Sequence, residues 1–199
     1  MNKMVKMAML IVTMAAIFSF AQEGMKYGVR AGFSFCDFSL GDSDIDENID
    51  MGYSFGAGLV ISIPITNFLK FVPEVSFLYR KPMSMDLKVM EEWVTEFAIS
   101  IPAMIQFSPS EGMPLYLAAG VQLDIPIASE STRKAGGHED TEDYDGRASF
   151  DFGIPLGVGY LIMPNLGVDL RAVFGITSPD KDEKDSSFKQ YGLGLTYFF

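Results

Sequence analysis

Few side chains in this 199-residue sequence are of types and spacings that support catalysis or metal binding. The only histidine, His138, sits in Gly136-Gly137-His138-Glu139-Asp140. Hydrolysis by a Ser/His/acid set needs a base held on rigid elements beside a nucleophile, and a histidine among glycines and acids reads instead as a solvated loop residue. No nucleophile–base pair can be assembled, so no catalytic residue is assigned and the chain reads as a non-enzyme. Asp42-Ser43-Asp44-Ile45-Asp46-Glu47-Asn48 begins with the alternating acids of a calcium loop. Glu47, however, stands where that loop needs its turn glycine, and Tyr53 stands where the distant bidentate acid belongs. No metal ligand and no cofactor are expected. Cys36 is the single cysteine, which rules out an intramolecular disulfide and leaves it as a small packing residue. A formal net charge of −11 disfavours nucleic acid as a partner.

The other polar residues make sense only through the elements that carry them. Eight stretches alternate with a period of two, the signature of strands with two unlike faces. In 27–36, Tyr27, Val29, Ala31, Phe33 and Phe35 oppose Gly28, Arg30, Gly32, Ser34 and Cys36. In 52–63, the aromatic and aliphatic residues from Tyr53 to Ile63 oppose Gly52, Ser54, Gly56, Gly58, Val60 and Ser62. The stretches 69–80, 93–107, 115–125, 150–160 and 166–176 repeat the pattern and keep their charges on the less apolar face. The terminal stretch 191–199 sets Tyr191, Leu193, Leu195, Tyr197 and Phe199 against Gly192, Gly194 and Thr196. One strongly apolar face with polar residues opposite fits transmembrane strands, because in hydrocarbon only helices and closed barrels satisfy their backbone polar groups.

The expected fold is therefore all-β, an eight-stranded antiparallel up-and-down transmembrane β-barrel over residues 22–199. Ahead of it, Lys3 and Lys6, the apolar stretch from Met7 to Phe18, and Ser19-Phe20-Ala21 read as a secretory leader over residues 1–21, removed before Gln22. The links 39–50, 64–67, 81–92, 108–114, 128–147, 163–166 and 178–187 alternate strictly between long and short, as the external loops and periplasmic turns of outer-membrane barrels do. The four long links hold 18 of the 26 acidic residues but seven of the 15 basic ones, so they carry the whole net charge over a neutral wall. Tyr53, Tyr79, Trp93 and Tyr191 fall at the loop side, and Tyr27, Phe71, Phe107, Tyr160 and Tyr197 toward the turns, giving two interfacial girdles. Pro73, Pro102, Pro126 and Pro155 fall inside strands, where bulges or strand ends are expected.

In this arrangement Arg30, Lys70, Glu74, Arg80, Glu96, Gln106, Gln122, Asp124, Asp151, Asp169 and Arg171 point into the lumen. Eight strands leave an interior that side chains just fill, and buried charges need partners. A paired polar network of Arg30, Glu74, Arg80, Glu96, Asp124, Asp151, Asp169 and Arg171 follows. The row Tyr191, Leu193, Leu195, Tyr197 and Phe199 reads as a carboxy-terminal signal for the barrel-assembly machinery.

Several segments resemble the small outer-membrane β-barrel domain proteins described as PorT-like, which share the shape of the OmpA and OmpX barrels. Phe71-Val72-Pro73-Glu74-Val75-Ser76-Phe77-Leu78-Tyr79 is similar to that family's Pro-Glu strand, and Phe97-Ala98-Ile99-Ser100-Ile101-Pro102 to its strand ending in Ile-Pro. Tyr116-Leu117-Ala118-Ala119-Gly120 and Phe150-Asp151-Phe152-Gly153 resemble its following strands. The resemblance implies the outer membrane of a Gram-negative bacterium, with membrane lipid around the wall, and implies no catalytic residue or cofactor. The leading expectation is a non-enzymatic barrel with a mostly filled lumen and acidic external loops that bind or scaffold envelope or surface partners. The alternatives are a narrow cation-preferring diffusion pore and an exported lipocalin-like binder whose apolar face turns inward.

Overall fold

The computed structural model describes residues 24–39, 49–87, 90–110, 112–135, 138–143, 149–178 and 187–199. They form β1 (Lys26–Ser39), β2 (Ile49–Pro64), β3 (Leu69–Leu87), β4 (Met90–Phe107), β5 (Leu115–Ala135), β6 (His138–Asp143), β7 (Asp151–Met163), β8 (Leu166–Gly175) and β9 (Ser187–Phe198). The expected leader and the Asp42–Asn48 acidic run lie outside the described residues.

Antiparallel pairing runs β4-β3-β2-β1-β9-β8-β7-β5, and β4 pairs again with β5 to close eight strands into a barrel. The terminal strands meet in long register, from Gly28 opposite Phe198 to Ser39 opposite Ser187. Closure leaves no barrel strand with an open edge, which a wall immersed in hydrocarbon requires. The ninth strand, β6, is an addition: it pairs with the far end of β5, from Glu130 opposite Asp143 to Ala135 opposite His138.

The apolar rows face outward. Phe33, Phe55, Phe77, Leu117, Leu170 and Leu193 are all exposed, with Phe77 61% and Leu193 53% accessible. This excludes the lipocalin-like alternative, because a soluble binder would gather these side chains inside. Ile61 is the exception on the outward row of β2: it is buried, opposite Tyr27 in the register. Near the loop side Tyr79 stacks against Tyr53, Phe55 and Phe97, and the Lys81 ammonium lies 4.7 Å from the Trp93 ring centroid. At the turn side Phe68 meets Phe107 and Tyr197 meets Phe199.

Three expectations change. The links 81–92 and 128–147 are largely strand: β3 continues to Leu87, β4 begins at Met90, and β5 runs to Ala135 before the β6 hairpin. Backbone pairing continues beyond the membrane, where water wets both faces, so hydrophobic alternation stops before the ladder does. His138 accordingly opens a strand rather than sitting in a loop. Of the four prolines expected inside strands, Pro126 alone lies at a register shift, where Ala98 faces Pro126 while Phe97 faces Ala128. Pro73, Pro102 and Pro155 keep register opposite Ala103, Gln122 and Val173, so each lost donor is absorbed without displacing the ladder. A second bulge lies between Arg80 and Met83, a span that contains Pro82.

Cys36 is fully buried on the inward face, opposite Gly52. A maleimide reagent should therefore leave the folded protein unlabelled and modify Cys36 after denaturation. Leu193→Arg should lower the unfolding free energy in lipid vesicles by about 2–4 kcal/mol, the cost of a cation on the lipid side of a barrel strand.

Candidate functional site

The lumen is built from inward positions of all eight barrel strands, which follow from the period of two and the shared register. Toward the loop end, Arg80 on β3 is fully buried and serves three carboxylates from three other strands. Its guanidinium pairs with Glu96 on β4, with Asp124 on β5 at 3.1 Å and with Asp151 on β7 at 3.4 Å. Gln122 donates to Asp124 at 3.0 Å, and the Arg80 guanidinium also packs over the Phe188 ring, 5.4 Å from its centroid. One planar fork with five donors suits this task, since a lysine could not reach several carboxylates in fixed directions.

Nearer the turns, a second cluster balances two arginines against two acids. Arg30 donates to Asp169 at 2.7 Å and lies 3.7 Å from Glu74, while Arg171 donates to Glu74 at 3.2 Å and lies 3.8 Å from Asp169. Between the two clusters Gln190 donates to Ser34 at 2.8 Å and to Ser54 at 3.1 Å, and Ser76 donates to Glu74. Below them Val60, Val72 and Met104 form an apolar plug, with Ala118 and Phe198 packed against it. Glycine also makes room for lumen side chains. A Cβ at Gly194 would collide with the Arg30 guanidinium, and one at Gly159 would collide with the Tyr116 ring.

Two small cavities lie within the lumen. A cavity of about 50 Å³ lies between the clusters, lined by Ser34, Ser54, Ser76, Ser100, Gln122 and Gln190 among others. Another of about 40 Å³ lies toward the turns, beside Tyr116 and Phe198. Polar cavities of this size suit ordered water, not a passing solute. Gln190 Oε1 is the one buried side-chain polar atom without a protein partner among the described residues, and Gln190 lines the first cavity.

The structure thus brings Arg80, Glu96, Asp124 and Asp151 together, and separately Arg30, Glu74, Asp169 and Arg171. Lys70 and Gln106 join neither cluster and line the cavity toward the turns. Sequence reasoning passed over Gln190 and Phe188, which lie in the gap between the last long link and the terminal alternating stretch. The parity of β9 was the available signal, because both residues share the inward row with Gly192, Gly194 and Thr196. Tyr191, Leu193, Leu195, Tyr197 and Phe199 form an exposed outward row. Among the described residues no group of three or more His, Cys, Asp or Glu side chains is arranged to hold a metal ion.

A family model described as an outer membrane protein beta-barrel domain matches residues 20–180. No curated protein matches the chain in sequence. Among solved structures, Neisserial surface protein A superposes with a TM-score of 0.57 at 17% identity, covering 89% of this chain and 100% of its own. Ail, the attachment invasion locus protein of Yersinia pestis, superposes with a TM-score of 0.50 at 14% identity, covering 89% and 100%. At such identities these likenesses establish the shared fold.

Arg80→Met would leave three buried carboxylates around an apolar side chain. It should destabilise the barrel by about 3–5 kcal/mol, as removal of one partner from a buried ion pair does. Denaturant titration in lipid vesicles measures this, and a loss under about 1 kcal/mol would mean that water already solvates the cluster.

Proposed function

The chain belongs to the outer membrane protein β-barrel domain family and resides in the outer membrane of a Gram-negative bacterium, and on that premise we propose that it is a closed, non-enzymatic barrel that binds or scaffolds through its loop end. The observation that carries this reading is the pair of ion clusters crossing the lumen. Arg80 with its three carboxylates, and Arg30 and Arg171 with theirs, tie β1, β3, β4, β5, β7 and β8 across the interior. Gln190 adds β9, β1 and β2 through Ser34 and Ser54. Parting these groups to pass a solute would strip charges of their partners in a low-dielectric interior, at several kcal/mol per ion.

The loop end offers the contact surface. From Asp124, level with the upper cluster, β5 runs eleven residues further to Ala135, roughly 35 Å of strand at about 3.3 Å per residue. It is flanked there by β4 and β6, so a raised sheet stands on one side of the rim. Glu130, Asp140, Glu142 and Asp143 are exposed on it and outnumber Arg133 and Lys134. Such a surface favours cationic partners in the envelope or outside the cell. The outward row from Tyr191 to Phe199 is suited to present the closing strand to the barrel-assembly machinery during insertion.

Purified protein inserted into planar bilayers should be electrically silent. Arg80→Ala, where heat-modifiable migration shows that it folds, should also stay silent, because the Arg30 and Arg171 cluster and the plug of Val60, Val72 and Met104 still cross the bore. Reproducible cation-selective steps from the unmodified protein would replace the closed barrel with a narrow pore.

A further inference from the structure

The lumen arginines have acid partners, but two lysines at the turn end have none among the described residues. Lys26 opens β1 and Lys70 lies at the start of β3, on either side of β2, with Lys26 opposite Ser62 and Lys70 opposite Pro64. Both line the cavity of about 40 Å³ at the turn end of the lumen. The acids in that lining, Glu74 and Asp169, are already bonded to Arg30 and Arg171. Among the described residues neither lysine has a carboxylate partner, so two cations remain close together without a counter-charge.

Beside this mouth lies a larger cavity of about 420 Å³, framed by the β2–β3, β4–β5 and β7–β8 turns. Lys70, Ser108, Leu161 and Pro164 line both spaces, which makes them neighbours. Among the described residues Lys70 is the only charged one in the lining of the larger cavity, where Asn67, Ser108 and Ser110 supply further polar groups. Its other side is apolar: Met113, Ile162 and Met163 line it and are exposed, continuous with the lipid-facing wall. The turn carrying Ser110 and Met113 is fixed by a Met113 N–H bond to the Ser110 carbonyl and by Gly112 at φ 76°, a conformation suited to glycine.

A cation flanked by hydroxyls and an amide, at the membrane interface and beside exposed aliphatic side chains, fits an amphiphile with an anionic head. We propose that the short-turn rim is a binding site for the phosphate headgroup of an anionic membrane lipid. Lys70 and Lys26 would supply the charge, Ser108 and Ser110 the hydroxyl donors, and Met113, Ile162 and Met163 the contact for the acyl chains. The inference rests on the membrane setting of the family and not on whether the lumen conducts, so a silent or a conducting barrel leaves it standing.

Native mass spectrometry of the protein released from mixed phosphatidylcholine and phosphatidylglycerol vesicles tests it. The unmodified protein should retain phosphatidylglycerol over phosphatidylcholine, and K26Q/K70Q should lose that preference by on the order of tenfold, since each lysine near an anionic surface contributes a few-fold. K26R/K70R, which keeps both charges, should hold it. If K26Q/K70Q does not fold, salt titration of the unmodified protein decides: the preference should fall with ionic strength. No preference in the unmodified protein, or one that K26Q/K70Q keeps, would overturn the site. Inorganic phosphate binding the lipid-free protein as tightly as phosphatidylglycerol does would assign the lysines to a free anion and overturn the lipid reading.

Discussion

A backbone that crosses hydrocarbon has nowhere to leave an unpaired N–H or C=O, and the structure depends on how this chain meets that constraint. The pairing of β4 with β5 and of β1 with β9 closes the ladder, so that every barrel strand has two neighbours. Closure with eight strands also fixes the bore, leaving an interior that side chains must fill. The outside can be greasy because lipid surrounds it. The inside is enclosed, so its polar side chains must satisfy one another.

The two ion clusters are the consequence. Carboxylates from β4, β5 and β7 converge on Arg80, and those of β3 and β8 are shared by Arg30 and Arg171. Apart from Arg80–Glu96, which joins the neighbouring strands β3 and β4, and the Arg171–Asp169 contact within β8, the ion pairs join strands that are not neighbours in the ladder, so the clusters act as cross-struts while the backbone bonds act as the hoop. Buried ion pairs add little net stability over a well-packed apolar core, but they penalise any register that leaves one charge alone. A slip by one residue would turn Arg80 toward lipid and strand Glu96, Asp124 and Asp151. The paired interior thus specifies the strand register.

The barrel is electrically uneven from end to end. Acidic residues stand on the raised strands of the loop end, while Lys26 and Lys70 place positive charge at the turn end with no carboxylate partner among the described residues. The lumen clusters, in which three arginines meet five carboxylates, separate the two. The charges at the two ends are thereby segregated from the clusters that fill the lumen.

The number of barrel strands, their order along the chain and the inward or outward sense of each side chain were set by the sequence alone, because one water-free face and one lumen face impose a period of two that residue types reveal. Phe33, Phe77 and Leu193 were legible as lipid-facing, and Arg80 and Asp124 as inward, on parity. Three things were not legible. Strands continue past the membrane in β3, β4 and β5, where water on both faces erases the alternation although backbone pairing persists. Bulges at Pro126 and between Arg80 and Met83 depend on which neighbour each strand end faces. Which acid meets which arginine depends on the stagger around a closed wall, a property of eight strands together that spacing along one strand does not contain. Only the tertiary structure placed Asp151 beside Arg80, 71 residues away in the chain, and Asp169 beside Arg30, 139 residues away.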